Sequence, residues 1–331
     1  MTPSFAAPLF VTSIALMLIA AAQFARHLDH VGLRLGLPEA LLGLLTALAA
    51  DAPEISSAVT ALVQNQHAEA VGVVVGASAF NLAAMLGLSA VLTGCVRGRH
   101  EALELEAFVG LWLVAVTLAT AAGAVGGTGA AALAAAVLVP YVVLLAAGPR
   151  LARMLPQAES RFVRRSFGEG HRRARPLDSR REAFRLATIL LAALALIVLG
   201  SVGAVRAATD LAAAWSVPPT IVGVLVLGIL AALPNAWTGV RFGLQGRGSA
   251  LVSETLNSNS INVVAGIVVP AALGALLAFS GLAVFNLAWL LLMTGAAVVL
   301  FGRHRGAGRS SGVFLIALYA VFVAVQIADS V

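Results

Sequence analysis

Two stretches of the chain place acidic and amide side chains beside a proline within otherwise apolar sequence. The first contains Asp51, Pro53 and Glu54, and the second contains Pro234 and Asn235. Carboxylate and amide oxygens are the ligands that hard cations such as Ca²⁺ take, typically about six to eight per ion. An ionisable side chain within hydrocarbon is costly and usually faces a cavity or an ion pathway. The two stretches therefore predict a cation site inside a membrane.

A second polar group follows each of these stretches. Glu54 and Asn235 are separated by the same number of residues as Asn81 and Asn262, which relates the groups as two copies of one pattern. Residues spaced three or four apart share a helix face. The eight candidate ligands are Asp51, Glu54, Ser57, Ser78, Asn81, Asn235, and Ser258 and Asn262 from the run of asparagines and serines at 257–262. Each amide is also a candidate for interhelical hydrogen bonding, worth around 1 kcal/mol.

The prolines add backbone groups to this chemistry. Pro53 has no amide hydrogen and its ring crowds the carbonyl of Ala49, and Pro234 does the same to Leu230. Each carbonyl freed in this way is a further candidate cation ligand. Irregular backbone at membrane depth is tolerated only when it is buried in protein or lines a wet cavity. Such interruptions, repeated in two halves of a chain, are typical of transporters with internal repeats.

The elements that position these residues are predicted to be membrane helices. The chain has 331 residues, of which 60% are hydrophobic and 11% charged. Its apolar runs exceed the roughly 18 residues that indicate a transmembrane helix. We predict an all-α polytopic membrane protein with spans near residues 7–26, 37–64, 68–94, 106–124, 130–148, 186–208, 217–243, 249–279, 281–301 and 311–329.

The distribution of charge predicts the orientation of these spans. All 21 lysine-plus-arginine residues are arginine, and the net charge is +6. With the N-terminus outside, every arginine except Arg206 lies in or beside a cytoplasmic loop, as the positive-inside rule requires. Both termini are therefore predicted to lie on the non-cytoplasmic side of a bacterial-type inner or plasma membrane. This charge pattern follows topology and gives no indication of nucleic-acid binding.

The five predicted spans before residue 149 and the five after residue 185 form two halves. Because five is odd, the halves have opposite orientation in the bilayer, which makes them inverted repeats covering residues 1–148 and 186–331. The basic linker between them, residues 149–185, has little apolar content with which to fold. We interpret it as a cytoplasmic segment that touches anionic lipid, at about 1 kcal/mol per basic residue near the surface. No obligate protein partner is predicted.

The polar pattern resembles the cation/calcium antiporter superfamily, which includes the sodium/calcium exchangers. That family has two inverted repeats on a ten-helix framework, each similar to Gly-Thr-Ser-x-Pro-Glu followed by Gly-Asn-x-x-Gly-Ser-Asn-x-Phe-Asn. Residues 49–54 and 72–81 match the first copy, and residues 230–235 and 253–262 match the second. Two imperfect copies at the correct separation are far more specific than either copy alone.

The resemblance implies alternating-access antiport in which Ca²⁺ and Na⁺ or H⁺ compete for one central cluster of oxygens. It makes Glu54 the main cation carboxylate, with Asn81, Ser258 and Asn262 as further ligands. The cations are transported rather than held as a cofactor, and no cofactor is expected. No nucleotide-binding motif is present in the sequence, so a gradient is expected to drive transport.

The departures from the family pattern change the expected chemistry. Asn235 stands where the second repeat of the family has glutamate, and Asp51 stands where the first repeat has serine. An aspartate one turn from Glu54 keeps two negative charges in the pocket but places both in the first repeat. Two such carboxylates repel each other unless a cation or a proton lies between them. We therefore hypothesise that this asymmetric site couples cation movement to protons more readily than two symmetric glutamates would.

The altered second repeat is compatible with other functions. A monovalent cation/proton antiporter on the same fold, or a transport-dead membrane scaffold, would also fit the altered second repeat. An intramembrane enzyme using Asp51 and Glu54 is disfavoured because the sequence has no partner nucleophile and no cofactor motif. Glu254 is interpreted as an interfacial, helix-start charge with a possible gating role, and His67 and Glu69 as parts of a solvated outer turn.

Overall fold

The protein is described by a computed structural model over residues 2–34, 44, 47–97, 100–151, 180–274, 279–302 and 306–329. Within these residues the chain forms ten helices, a short helical segment at residues 47–50 and two short strands. The helices are α1 (Pro3–Arg34), α2 (Ala52–Val63), α3 (His67–Thr93), α4 (His100–Ala121), α5 (Gly127–Leu151), α6 (Arg180–Ala214), α7 (Pro219–Leu244), α8 (Gly248–Val263, continued through Val264–Val268 to Val269–Ala272), α9 (Gly281–Phe301) and α10 (Arg309–Ala328); the strands are β1 (Cys95–Val96) and β2 (Ala307–Gly308).

The predicted fold class, an all-α polytopic membrane protein, is confirmed. Eight of the described helices are long and apolar enough to cross a membrane. Of the other two, α2 is a shorter apolar helix and α8 carries the asparagine and serine run. The first part of the predicted span 37–64 falls mostly outside the described residues. Large apolar side chains are exposed on the outer helices, for example Leu191 and Val299, which is the pattern expected of a surface that faces lipid.

The ends of the predicted linker differ from the expectation. Helix α5 continues to Leu151 and helix α6 already begins at Arg180, so both ends of segment 149–185 are helical, while residues 152–179 lie outside the described part. Arginine is a good helix former and its long stem can lie along apolar surface, so the charged residues extend α6 beyond its apolar run. An ion pair between Arg34 and Glu182, at 3.3 Å, joins the end of α1 to the start of α6.

Helix α3 lies at the centre of the bundle. In the apolar stretch of α3, 83% of the residues are buried, whereas in that of α10 the share is 22%. Glycines let α3 and α7 approach until their backbones touch: a Cβ added at Gly72 would lie 3.1 Å from the Cα of Gly223, and one added at Gly228 would lie 2.9 Å from the amide nitrogen of Ala77. Small residues of this kind are the usual means of close helix packing in membranes. The two repeats are thereby joined directly at the helices that carry the polar pattern.

Substituting Gly76→Ala is expected to destabilise the protein by about 1–3 kcal/mol, the usual cost of overpacking. A Cβ at Gly76 would come closer than 3.0 Å to the backbone of Val224, which cannot move aside as a side chain can. The measurement is the Tm of the purified protein in detergent, followed by size-exclusion chromatography. The matched control is Gly295→Ala in α9, where a Cβ meets nothing within 4 Å; an equal loss of Tm in both variants would contradict the packing argument.

Two π-helical segments occupy equivalent places in the two repeats. One, Leu82–Leu88, directly follows Asn81 within α3, and the other, Val264–Val268, begins two residues after Asn262 within α8. A third, Val222–Leu227, lies near the start of α7. Single π-helical turns inside α-helices are frequent at functional sites because they alter which side chains face inward. The polar residues of both repeats thus lie beside an irregularity in their helix.

Candidate functional site

The first repeat presents its carboxylates at an interruption between two helical segments. Residues 47–50 are helical, Asp51 forms a turn, and α2 begins immediately afterwards with Pro53 in its first turn. The interruption is confined to this turn, because the Asp51 amide still donates to Ala47 at 2.9 Å and its carbonyl still accepts from Ile55 at 3.0 Å. Pro53 supplies no amide hydrogen to the carbonyl of Ala49. Asp51 and Glu54 are consequently held about one turn apart and both are fully buried.

The second repeat does not repeat this interruption. Helix α7 continues through Pro234, which lies inside the helical segment Gly228–Leu244. Because Pro234 has no amide hydrogen, the carbonyl of Leu230 lacks its usual donor four residues later, while Thr238 donates to the carbonyl of Pro234 at 2.9 Å. The prediction of a matching break in both halves is therefore wrong for α7, where neighbouring helix turns tolerate the proline. Asn235 projects from an unbroken helix.

Side chains from four helices meet in one hydrogen-bonded cluster, which we call the central cluster: Asp51, Glu54, Asn81, Asn235 and Ser258. The amide nitrogen of Asn235 donates to Asp51 Oδ1 at 2.6 Å and to Glu54 Oε1 at 2.8 Å. The hydroxyl of Ser258 donates to the same Asp51 oxygen at 2.6 Å and accepts from Asn81 Nδ2 at 3.1 Å. Five of the eight predicted ligands are thus in direct contact, and they come from both repeats.

Six buried oxygens of the predicted ligands lack a hydrogen-bond partner; four belong to members of this cluster and two to residues on the same helix faces. They are Asp51 Oδ2, Glu54 Oε2, Ser78 Oγ, Asn81 Oδ1, Asn235 Oδ1 and Asn262 Oδ1. Ser78 lies one turn before Asn81 in α3, and Asn262 lies one turn after Ser258 in α8, so each shares a helix face with a member of the cluster. A buried acceptor that lacks a partner costs about 1–3 kcal/mol. A cation, whose ligands are such oxygens, would satisfy several of them at once.

Ser57 is placed differently from the other predicted ligands. Its hydroxyl donates to the sulfur of Met17 in α1 at 3.6 Å, and Ser201 of α6 donates to the same sulfur at 3.3 Å. Ser57 therefore belongs to a contact among α1, α2 and α6. Helical spacing predicted that Ser57 shares a face with Asp51 and Glu54, but no signal pointed to Met17, which is one apolar residue among many in its span.

The site is closed to solvent in this conformation. All eight predicted ligands are at most 1% exposed. Among the described residues, no group of three or more His, Cys, Asp or Glu side chains is arranged to hold a metal ion. The central cluster instead combines two carboxylates with amide and hydroxyl oxygens, the donor set of Na⁺ and Ca²⁺ and not of a softer metal. An ion could enter or leave only after the helices around the cluster move.

A second polar network connects α8 to α4 and α5, and it was not predicted from the sequence. Tyr141 of α5 donates to Asn257 Oδ1 at 2.8 Å, Asn257 Nδ2 contacts Ser253 Oγ at 3.4 Å, and Ser253 donates to Glu106 of α4. The signal in the sequence was an acid at the start of one span and a tyrosine within another. This network fixes the face of α8 that points away from the central cluster.

Glu69 is buried, contrary to the predicted solvated turn. It is 0% exposed, and Thr209 of α6 donates to both of its carboxylate oxygens at 3.2 Å. Its backbone also lies against Gly223 of α7. The difference arises because the end of α6 and the start of α7 cover the beginning of α3, which is a tertiary contact with no counterpart in local sequence.

The chain matches a known protein family and resembles solved structures in its fold. The family model described as sodium/calcium exchanger protein matches residues 5–147 and 185–328. No curated protein sequence matches the chain. Among solved structures, native YfkE is similar over 97% of this chain and 91% of its own, with a TM-score of 0.64 and 15% identity. The sodium-calcium exchanger NCX_Mj, soaked with 10 mM Na⁺ and 10 mM Sr²⁺, is similar over 96% of this chain and 97% of its own, with a TM-score of 0.61 and 17% identity.

Proposed function

Because the chain belongs to the sodium/calcium exchanger protein family, we propose that it is a secondary-active cation antiporter that exchanges Ca²⁺ for Na⁺ or H⁺ at the central cluster. The observation that carries this proposal is the meeting of Asp51 and Glu54 with Asn235, across the two repeats, in a fully buried site. The transported cation replaces its water shell with oxygens of this site. The gradient of one ion then drives the other, with no cofactor and no covalent chemistry.

The buried oxygens support Ca²⁺ as one transported ion. Six buried oxygens of the predicted ligands lack a hydrogen-bond partner. Ca²⁺ takes about six to eight oxygens at ~2.3–2.6 Å. We propose Asp51, Glu54, Ser78, Asn81, Asn235, Ser258 and Asn262 as the ligand set, with Ser57 joining only if it turns away from Met17.

Asn235 supports a particular form of exchange. Its amide nitrogen donates to both carboxylates, so in the closed cluster it occupies the position between them that a cation would compete for. A rotation of this amide would present Oδ1 to the ion and withdraw the two hydrogen bonds. The asparagine would then lower the cost of holding two carboxylates together between transport events, which two glutamates facing each other could not do without a proton or a cation.

A monovalent cation/proton antiporter is the second candidate, and the neutral side chain at Asn235 favours it. With both carboxylates in the first repeat, the site has less negative charge in α7 than the family pattern implies. A counterflow panel of Na⁺, K⁺, Ca²⁺, Mg²⁺ and H⁺ on the purified protein in liposomes, with internal pH recorded, separates the two candidates. Trans-stimulation by Ca²⁺ supports the first, whereas counterflow of monovalent ions and protons alone supports the second. Cation binding with no counterflow would indicate a transport-dead scaffold.

Ser258→Ala is expected to raise the KM for Ca²⁺ about tenfold, because it removes a hydrogen bond to a charged group, worth roughly 1.5–3 kcal/mol, and leaves Asn81 without its partner. The measurement is Ca²⁺ uptake over a concentration series in liposomes. The matched control is Ser260→Ala in the same helix, since the hydrogen bond that the Ser260 hydroxyl makes within the described residues is to the Leu256 carbonyl of its own helix, at 2.9 Å. Equal KM values in the two variants would contradict the ligand assignment.

The proposed orientation places both termini, and the Arg206 end of α6, on the non-cytoplasmic side, with the arginine-rich linker inside against anionic lipid. Cys95 is the only cysteine in the chain and it is exposed, beside the predicted cytoplasmic loop that contains Arg97. A membrane-impermeant maleimide is expected to label Cys95 in everted vesicles and to leave it unlabelled in right-side-out vesicles. Labelling in the reverse pattern would invert the proposed topology.

A further inference from the structure

Helix α8 leads from an exposed turn into the central cluster. Arg247, which precedes the helix, is exposed, Glu254 is partly buried, and Ser258 is only 1% exposed. Under the proposed topology the turn between α7 and α8 faces the cytoplasm. A cation that reaches the cluster from that side would therefore pass along the first two turns of α8.

Glu254 lies on the face of α8 that points along this route. It precedes Ser258 by four residues, which places the two side chains on one helix face, and Ser258 donates to Asp51 at 2.6 Å. Glu254 also follows Arg247 by seven residues, which places it on the same side of α8 as that exposed residue. Its Oε2 is buried without a hydrogen-bond partner.

The other buried acids outside the central cluster are held by hydroxyl groups. Thr209 donates to both oxygens of Glu69, and Ser253 donates to Glu106. Those carboxylates already have local structural partners. Glu254 and Glu106 each have one buried oxygen without a hydrogen-bond partner, but among these acids only Glu254 lies one helical turn from a member of the central cluster.

The equivalent position of the first repeat carries no charge. The separation that relates Glu54 to Asn235 relates Val73 to Glu254, and Val73 is apolar and 0% exposed. The two routes into the cluster are therefore unlike: the one along α8 has a carboxylate one turn above the site, and the one along α3 has valine there.

We infer that Glu254 is a cation-attracting residue of the cytoplasmic route, a site that receives Na⁺ or Ca²⁺ between the α7–α8 turn and the Asp51–Glu54 pair. A carboxylate in a cleft with low-dielectric walls raises the local concentration of cations and their rate of arrival. The inference rests on the proposed antiport, and it adds an affinity difference between the two faces of the membrane.

The test compares Ca²⁺ uptake in everted and right-side-out vesicles that contain the full chain. Glu254→Gln is expected to raise the KM for Ca²⁺ presented at the cytoplasmic face about tenfold, the lower end of the range for charged clefts, with kcat and the KM at the outer face unchanged. Choline chloride at about 1 M should shrink the difference between wild type and variant, because salt screens the attraction. Glu254→Asp, which keeps the charge, should retain the wild-type KM.

Equal effects on both faces, or a cytoplasmic KM that does not change, would overturn the inference. The exposed acid Glu104 of α4 lies at the same end of the bundle, and Glu104→Gln is the control that should leave the KM at each face unchanged.

Glu54→Gln is included to separate two kinds of failure. If Glu54→Gln is inactive and Glu254→Gln behaves as wild type, the role of Glu254 is wrong and the antiport stands; if Glu54→Gln exchanges normally, the proposed function itself is wrong. An inactive Glu254→Gln would also overturn the inference, because a loss of uptake from both faces is not a change of KM at the cytoplasmic face alone.

Discussion

Glu54→Gln is expected to reduce Ca²⁺ counterflow about 100-fold or more. Glutamine has nearly the same size as glutamate, so the substitution removes the charge while the packing around a 0% exposed side chain stays filled. Removing one partner of a buried hydrogen-bonded charge pair costs roughly 2–5 kcal/mol, and every 1.4 kcal/mol is about tenfold. The measurement is radioactive Ca²⁺ counterflow in liposomes at matched protein content.

Two controls make the result for Glu54 specific. Glu104→Gln changes the same residue type at an exposed position and is expected to exchange at the wild-type rate. Size-exclusion profiles and Tm values should show that Glu54→Gln is folded, since the variant relieves the repulsion between two neighbouring carboxylates. Folded Glu54→Gln protein with normal counterflow would contradict the assignment of the central cluster as the transport site.

Moving the second carboxylate from α2 to α7 is the prediction with the next largest effect. Asp51→Ser is expected to lower Ca²⁺ exchange about 100-fold, because Asp51 Oδ1 accepts hydrogen bonds from both Asn235 and Ser258 and its charge is lost. Adding Asn235→Glu to that variant is expected to restore exchange to within about tenfold of wild type. Asn235 Nδ2 also contacts Glu54 Oε1, at 2.8 Å, so a carboxylate introduced at position 235 lies beside Glu54.

The single variants complete this double-mutant comparison. Asn235→Glu alone places three carboxylates together and is expected to lower the rate, because a third negative charge has no matching cation. Asp329→Asn, an exposed aspartate at the end of α10, serves as the control for aspartate replacement. Normal transport by Asp51→Ser would show that Asp51 does not compensate for the missing second-repeat glutamate. Failure of the double variant to regain exchange would show that charge count alone does not define the site.

The same pair of residues decides the coupling ion. If Asp51 and Glu54 alternate between a cation and a proton, Ca²⁺ efflux should acidify the liposome lumen in proportion to flux, because protons enter as Ca²⁺ leaves. The restored variant, with its carboxylates on α2 and α7, should couple less strongly to protons and more strongly to Na⁺. Ca²⁺ and Na⁺ gradients that collapse with no change of internal pH in the wild type would contradict the proton hypothesis.

The membrane fold could be predicted from the sequence because its signal is local. A run of about 20 apolar residues is enough to identify a helix that spans a bilayer, and eight of the ten predicted spans correspond to described helices that are long and apolar enough to cross it, including α9 at Gly281–Phe301. The limits of the linker were less well predicted, since charged residues at Arg180 and Arg181 continue a helix whose apolar run starts later. Hydropathy indicates where the chain leaves the lipid, whereas the helix itself can continue beyond that point.

The repeated polar pattern also determined which residues form the site, but not how they meet. Asp51 and Asn235 are far apart in sequence, and their contact depends on how α2 and α7 cross. The turn of Ser57 toward Met17, the burial of Glu69 under Thr209 and the unbroken course of α7 through Pro234 were all decided by neighbouring helices. Helical periodicity fixes which side chains share a face, whereas the partner of that face depends on helix packing, which is set by contacts between distant segments. The sequence by itself determined the helices and the chemistry of the ligands; the tertiary structure decided which oxygens share a cavity and which amide stands between the two carboxylates.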